Sequence, residues 1–124
     1  MLTFRLHMEF TSQTCDEAAT ALRTLVGPVR SEPGCSATRL LRDTDDRREL
    51  TWVEEWRGID AFERHLRGSA FRGILAVIEL AAAPPTVEID DIASRRGFEL
   101  VEEILGTPKK VGSGEAERRG DDVL

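Results

Sequence analysis

The eight residues LTWVEEWR at positions 50–57 are typical of a β-strand with two different faces. A period of two divides their side chains into two sets, Leu50, Trp52, Glu54 and Trp56 on one face and Thr51, Val53, Glu55 and Arg57 on the other. Neither face is purely polar. We therefore expect a sheet that is covered on both sides, by helices on one face and by a partner on the other.

Three further strands are predicted around this one. Residues 35–42 form the other half of a hairpin, because turn-forming aspartates fill the polar stretch 43–48. Residues 87–92 give a fourth strand with acidic positions. The N-terminal segment alternates with a period of two and carries one apolar face, Phe4, Leu6, Met8 and Phe10.

A first helix is predicted from a capping box. In this motif the Thr14 hydroxyl accepts a hydrogen bond from the backbone N–H of Glu17, and the Glu17 carboxylate returns to the cap. Gly27-Pro28 lies late in the helical pattern, and proline removes a backbone donor, so we expect a kink or an early stop there.

Two consecutive helices follow, the first over 59–66 and the second from a Ser69 cap to Ile78. Pro84-Pro85 ends them, because neither proline can donate to a continuing helix. A short amphipathic helix is predicted over 98–105, where it would close a cavity or extend a dimer contact.

The resulting order, β-α-β-β-α-β, predicts an α+β protein with the ferredoxin-like fold, in which four antiparallel strands carry helices on one face. We divide the chain into a ferredoxin-like domain over 1–94, a C-terminal helical extension over 95–106 and a polar tail over 107–124.

The composition excludes several classes of function. The 124 residues hold 17 Lys and Arg against 23 Asp and Glu, a net charge of −6, with arginines scattered along the chain, so we expect no nucleic-acid partner. No apolar run approaches the length of about 20 residues that spans a bilayer, and we expect a cytoplasmic protein without a membrane partner. Cys15 and Cys35 are expected to be reduced thiols. The chain has no Tyr and no Asn, which excludes a phenol acid and an asparagine clamp.

Five stretches carry a family resemblance: Glu32-Pro33-Gly34-Cys35, Leu40-Leu41-Arg42-Asp43, Glu54-Glu55-Trp56, Ala61-Phe62-Glu63-Arg64-His65-Leu66 and Phe71. In this order they resemble the antibiotic biosynthesis monooxygenase family, over residues 2–94. The resemblance implies a dimeric α+β barrel, in which two four-stranded sheets face each other and the helices lie outside. Its relatives include cofactor-independent oxygenases of polyketide aromatics, quinol monooxygenases and haem-degrading enzymes.

The chain departs from the family pattern at Gly68 and Ala70, where Ser and His often stand. Haem-degrading relatives use an Asn on the first strand and an iron-ligating His on the helix that follows the position of His65. This chain has no Asn and no His after His65, so haem degradation is not expected.

The sequence also lacks the signature of a redox cofactor. It holds no G-x-G-x-x-G after a strand, and its two His and two Cys lack metal-ligand spacing, so we expect no cofactor. Oxygenation would then take its electrons from a small aromatic substrate, such as a quinol or an anthrone, whose anion reduces molecular oxygen directly. The protein would supply an apolar pocket, a base and groups that hold an oxyanion.

His65 is the first candidate for the base, because its ordinary pKa of about 6.5 lies close to neutral pH. The alternative is a histidine at a partly solvated helix edge. His7 points away from the apolar face of its strand, so its place in a cavity depends on which face of the sheet meets the helices.

The candidate substrate-binding residues are mostly aromatic. Trp52 and Trp56 would form a wall for a planar substrate or, alternatively, anchor the core or a dimer interface. Glu54 between them would be a paired carboxylate or an acid of raised pKa, and an ion pair with an arginine is the favoured interpretation. Phe62 and Phe71 would line the same pocket. Arg72, like Arg39, could hold an anionic substrate oxygen.

Three functions fit these residues. The first is a cofactor-independent monooxygenase acting on an aromatic quinol or polyketide, as a homodimer built through the sheet face. The second is a non-catalytic dimeric module that binds a small ligand on the same fold. The third is an isomerase or a degradative enzyme for a small metabolite, with His65 again as the base.

Overall fold

Four antiparallel strands form one sheet in this computed structural model, which describes residues 1–106. The strands are β1 (Leu2–Glu9), β2 (Cys35–Arg42), β3 (Glu49–Trp56) and β4 (Thr86–Asp91). The helices are α1 (Cys15–Arg30), α2 (Ile59–Leu66), α3 (Ser69–Ile78) and α4 (Phe98–Leu105). The strand order β2-β3-β1-β4 is that of the ferredoxin-like fold, which confirms the predicted fold class.

One face of the sheet, the core face, is covered by α1, α2 and α3. It consists of alternate residues of the two central strands, Leu2, Phe4, Leu6 and Met8 of β1 and Leu50, Trp52, Glu54 and Trp56 of β3, all of them buried. Ala18, Leu22, Phe62 and Ile74 on the helices complete the same core. The alternation predicted for residues 50–57 is thus confirmed, and it places a carboxylate in the middle of the core.

The opposite face, which we call the polar face, carries Arg5, His7, Thr51, Glu88 and Asp90. Arg5 donates to Asp90 at 2.8 Å across the β1–β4 pair. His7 Nδ1 lies 3.1 Å from the Thr51 hydroxyl and Nε2 lies 3.3 Å from Glu88 Oε1. Polar contacts between strands therefore dominate this face, and a partner subunit covering it stays a prediction.

The start of α1 is predicted correctly, but the capping box is not formed. Thr14 adopts helical angles, φ −109° and ψ −11°, and its side chain caps no backbone N–H of the helix. The Thr14 hydroxyl instead meets the Thr11 hydroxyl at 3.0 Å, and the Thr11 carbonyl accepts from the N–H of Cys15 at 3.0 Å. A turn that begins at Thr11 therefore takes the place of the predicted cap.

The predicted early stop at Gly27-Pro28 is wrong, because α1 continues to Arg30. Pro28 lies in the last turn, and Gly27 still accepts from both the backbone N–H and the hydroxyl of Ser31, each at 3.0 Å. The start of α3 also differs from the prediction by one residue. Ser69 is the first residue of α3, and extended Gly68 is its N-cap.

Residues 1–92 form one compact unit, and the described residues 93–106 belong to a second. The second unit contains α4, whose bounds match the predicted 98–105 and which ends at Gly106 with a left-handed φ of 72°. Arg96 lies 3.3 Å from Glu99 and from Glu103. The predicted polar tail, 107–124, lies outside the described residues. Within 1–106, no helix combines the length and hydropathy that a membrane crossing requires.

Candidate functional site

The candidate site is built around Glu54 at the centre of the core face. Its side chain has no solvent exposure. Residues two positions apart on a strand share a face, so the neighbouring tryptophans flank it. Trp52 donates its indole N–H to Oε2 at 2.6 Å, and Trp56 donates its own to Oε1 at 2.9 Å. Each carboxylate oxygen therefore has a donor from the same strand, and such charge-assisted hydrogen bonds offset part of the cost of burial.

His65 reaches the same carboxylate from α2. Its Nε2 lies 2.8 Å from Glu54 Oε2, and its Nδ1 lies 3.0 Å from Glu32 Oε1. The Nε2 contact is short but falls outside the angles of an aligned hydrogen bond, so it is an ion pair when the ring is protonated. Glu32 comes from the turn between α1 and β2, and its side chain is 27% exposed. We call Glu32, Glu54, His65, Trp52 and Trp56 the carboxylate–histidine network.

The two carboxylates control the charge of His65. Burial by itself disfavours the imidazolium and lowers its pKa, but the contacts with Glu54 and then Glu32 outweigh this effect. The pKa of His65 therefore lies above its ordinary value, and the folded protein favours the protonated ring.

Aromatic rings enclose the rest of the imidazole. The ring centroid of His65 lies 4.7 Å from that of Trp56, 5.5 Å from Phe71 and 6.4 Å from Phe62. These rings exclude water around an ionised group, which strengthens every charge interaction within the network. An imidazole held in this way can hold a proton, or pass it to a group that takes the place of one carboxylate.

The structure brings together six of the eight predicted site residues, Trp52, Glu54, Trp56, Phe62, His65 and Phe71. It places the other two elsewhere. His7 lies on the polar face, and the exposed Arg72 lies near the start of α3, where its guanidinium donates to the Arg67 carbonyl at 3.4 Å.

Two interpretations of these residues are corrected. Glu54 pairs with His65 and two indoles rather than with an arginine, because the core face presents indole and imidazole donors to it. His65 does not lie at a partly solvated helix edge, since its side chain has no exposure.

Sequence reasoning missed Glu32. The residue opens the stretch Glu32-Pro33-Gly34-Cys35, which contributes to the family resemblance but by itself indicates no role for the carboxylate. Glu32 lies 33 positions from His65 in the chain, and only the packing of α2 against the turn before β2 brings the two together. The family resemblance of this stretch is the one feature of the sequence that could have drawn attention to Glu32.

A glycine fixes that turn. Gly34 has a φ of +87°, which L side chains rarely adopt, and a Cβ at this position would lie 2.5 Å from the Cβ of Ala61 on α2. Its carbonyl accepts from the backbone N–H of Arg57 at 2.9 Å. The turn that carries Glu32 is therefore held against both α2 and the end of β3.

One further titratable group, the Cys35 thiol, lies close enough to the network to feel the charges of Glu54 and Glu32. Both cysteines are free, as predicted, and burial raises the pKa of Cys35, whose Sγ lies 3.2 Å from the Thr38 hydroxyl. Within residues 1–106 no three His, Cys, Asp or Glu side chains are grouped as metal ligands.

The first 77 residues match the family model described as antibiotic biosynthesis monooxygenase, which spans β1 to most of α3. The chain belongs to the antibiotic biosynthesis monooxygenase family. No curated protein matches it significantly.

Several solved structures share the fold of this chain. A crystal structure of an antibiotic biosynthesis monooxygenase is 25% identical, with a TM-score of 0.69, over 76% of this chain and 100% of that one. A Pseudomonas aeruginosa protein is also 25% identical, with a TM-score of 0.67 over 75% and 94% of the two chains. A Mycobacterium tuberculosis protein is 20% identical, with a TM-score of 0.70 over 77% and 98%.

Proposed function

We propose that the protein is a cofactor-independent monooxygenase that oxidises an electron-rich aromatic substrate, of quinol or polyketide type, with molecular oxygen. The observation that carries the proposal is a buried histidine between two carboxylates and among aromatic rings, in a member of a monooxygenase family. The chemistry needs a base and an apolar surrounding, and this network supplies both.

Glu54 is the fixed partner of His65. Two indole N–H groups hold its oxygens in place, so its carboxylate stays beside Nε2 as the counter-ion of the ring, and proton exchange is left to Nδ1. Glu54 would also stabilise the imidazolium that forms when Nδ1 takes a proton.

Glu32 is the exchangeable partner. It belongs to a turn, is partly exposed and makes one contact with the ring, whereas Glu54 is buried on a central strand with three. A substrate would displace Glu32, whose carboxylate would leave with the Nδ1 proton, and the freed Nδ1 lone pair would then take the acidic proton of the substrate. Since the side chain of His65 has no exposure, the turn 31–34 must move for the substrate to arrive.

The reaction balances for an anthrone, which carries a CH₂ group opposite a ketone. His65 takes one proton, and the resulting anion gives one electron to O₂. The radical and superoxide then combine in a C–O bond, and His65 returns its proton to the peroxide. Loss of water converts the hydroperoxide to a ketone, so one oxygen atom enters the product and the other leaves as water.

Oxygen uptake tests this function. The purified protein should consume O₂ with anthrone or menadiol faster than the substrate autoxidises, and His65→Gln should reduce the rate to that background. His7→Gln is the matched control and should retain the rate, because its ring lies on the polar face. The proposal is overturned if the unaltered protein gives no more than the autoxidation rate with both substrates.

We further propose that the protein is a homodimer through the polar face of the sheet. The family resemblance supports this arrangement. Light scattering at micromolar concentration should give twice the mass of the 13.8 kDa chain. A monomer under those conditions would refute the dimer without touching the proposed reaction.

A further inference from the structure

A second concave feature lies away from the carboxylate–histidine network. It is a groove of about 650 Å³ between α1 and the edge strand β2. Within residues 1–106, the lining of this groove includes none of the five network residues. Its volume falls within the range of small-molecule sites, about 300–1,000 Å³.

The charge of this groove is opposite to that of the protein. Among residues 1–106, those that line it include four arginines and no aspartate or glutamate. The chain as a whole carries 23 acidic residues against 17 basic ones. A cleft that concentrates one sign of charge over low-dielectric walls attracts ions of the other sign.

Two of these arginines are held in position at opposite ends of the groove. Arg30, in the last turn of α1, donates to the Thr38 carbonyl of β2 at 2.8 Å. Arg42, at the end of β2, reaches back to the start of α1 and donates to the Cys15 carbonyl at 3.3 Å and to Asp16 at 3.1 Å. Each guanidinium has five N–H donors, so further donors remain.

Two donor groups in the groove have no partner within the described chain. The Nε of Arg42 is buried and makes no hydrogen bond to residues 1–106. Arg23 lies on α1 between the two ends, is exposed, and makes no side-chain hydrogen bond or ion pair within the same residues. A carboxylate or phosphate is the group that guanidinium donors bind best.

The floor of the groove is apolar. Ala19 and Leu50 are almost fully buried, and Val26 and Leu40 are half-buried. The apolar surface that stays accessible belongs to Val26, Leu40 and the half-exposed Leu41. An inorganic anion would leave it uncovered, whereas an anion with a hydrocarbon body would bury it and gain about 25 cal/mol for each Å² of apolar surface.

We infer that the groove between α1 and β2 is a binding site for a small amphipathic anion, with a carboxylate or phosphate head on the arginines and an apolar body on Val26, Leu40 and Leu41. Within residues 1–106 the lining of the groove shares no residue with the carboxylate–histidine network, so the inference does not rest on the proposed oxygenation.

Calorimetric titration with decanoate, below its micelle concentration, tests the site. We expect saturable binding, with decan-1-ol at least about tenfold weaker because it lacks the charge. Decyl phosphate distinguishes the head groups, and tighter binding of either anion supports the site. Failure of both anions to saturate by about 1 mM, or equal binding of decan-1-ol, overturns the inference.

A charge-reversal variant locates the binding. Arg23→Glu should weaken decanoate binding at least about tenfold, because it places a carboxylate beside the anion. Arg47→Glu changes the net charge by the same amount at an exposed loop position outside the groove, and it should bind as the unaltered protein does. Equal affinities for the two variants would contradict the assignment, as would decanoate-induced NMR shifts at Gly58 rather than at the groove residue Gly27.

Discussion

The two histidines of the chain lie on opposite faces of one sheet, and each meets a carboxylate. His65 is buried on the core face between Glu54 and Glu32, and its pKa is raised by these contacts against the opposing effect of burial. His7 lies on the polar face with 42% of its side chain exposed, 3.3 Å from Glu88. Ion pairs in water contribute little, because solvent screens them and side-chain entropy opposes them, whereas breaking a buried pair leaves an uncompensated charge. The same pair of residue types should therefore behave very differently on the two faces.

The largest difference is expected when each carboxylate is removed. Glu54→Leu leaves two buried indole N–H groups without an acceptor and weakens the pairing of His65, so the free energy of unfolding should fall by about 3–5 kcal/mol. Urea unfolding measures this loss. Glu88→Leu, the matched change beside His7, should cost less than about 1 kcal/mol. Similar losses in the free energy of unfolding at Glu54 and Glu88 would show that burial does not make the ion pair on the core face more important than the one on the polar face. Should Glu54→Leu fail to fold, Glu54→Gln, which keeps an acceptor, gives the smaller loss for comparison.

A smaller effect is expected from one donor of the network. Trp56→Phe keeps an aromatic ring but removes the indole N–H that donates to Glu54 Oε1, together with some buried volume, so one buried oxygen loses its partner. The free energy of unfolding should fall by about 1–3 kcal/mol. The control on the polar face is Thr51→Val, which removes the hydroxyl beside His7 Nδ1 and should cost less than about 1 kcal/mol. Equal losses of unfolding free energy for Thr51→Val and Trp56→Phe would contradict the expected difference between the polar face and the core face.

The pH dependence of stability tests the charge contacts of the buried His65. His65 has a higher pKa in the folded chain than in the unfolded one, so the folded state binds more protons between the two values. Its contribution to stability is fully present below the unfolded pKa of about 6.5 and is lost as the pH rises through the folded pKa. The free energy of unfolding should therefore decrease as the pH rises above about 6.5, and His65→Gln should flatten this decrease. A variant with His7→Gln that flattened it equally would refute the assignment to His65.

The smallest effect is expected at the exchangeable carboxylate. Glu32→Gln removes one of the two charges that raise the pKa of His65, and this pKa, measured by NMR titration of the imidazole carbons, should move downward. Because Glu32 is partly exposed, the free energy of unfolding should change by less than about 1 kcal/mol. An unchanged pKa would mean that Glu54 alone controls the ring.

The fold could be predicted because the strongest patterns of the sequence are local. Alternation in residues 50–57 follows from the geometry of a strand, and this spacing alone places Trp52, Glu54 and Trp56 on one face. The strand bounds 35–42 and the helix bounds 59–66 needed only nearby turn and proline signals. Thr14 shows the limit of such rules, since its side chain satisfies the capping pattern but bonds to Thr11 in a competing turn.

The candidate site was predicted only in part because its geometry is not local. Glu54, Trp52 and Trp56 share a strand, so their proximity follows from the spacing, but the partner of Glu54 depends on how α2 packs. Glu32 and His65 meet across 33 positions of the chain, and no periodicity connects them. For the same reason the sequence could not show that Arg23, Arg30 and Arg42 line one groove, since they belong to a helix and to the strand beside it.

The geometry of the carboxylate–histidine network depends on Gly34, which is not one of its members. Every other amino acid adds a Cβ, which would meet Ala61 at 2.5 Å on a backbone already at a φ of +87°. Substitution at this one position would push α2 away from the turn and so separate His65, on the helix, from Glu32, on the turn. A substitution at Gly34 would therefore disrupt the carboxylate–histidine network without changing any of its five residues. A comparison of natural variants that considered only ionisable residues would overlook this position.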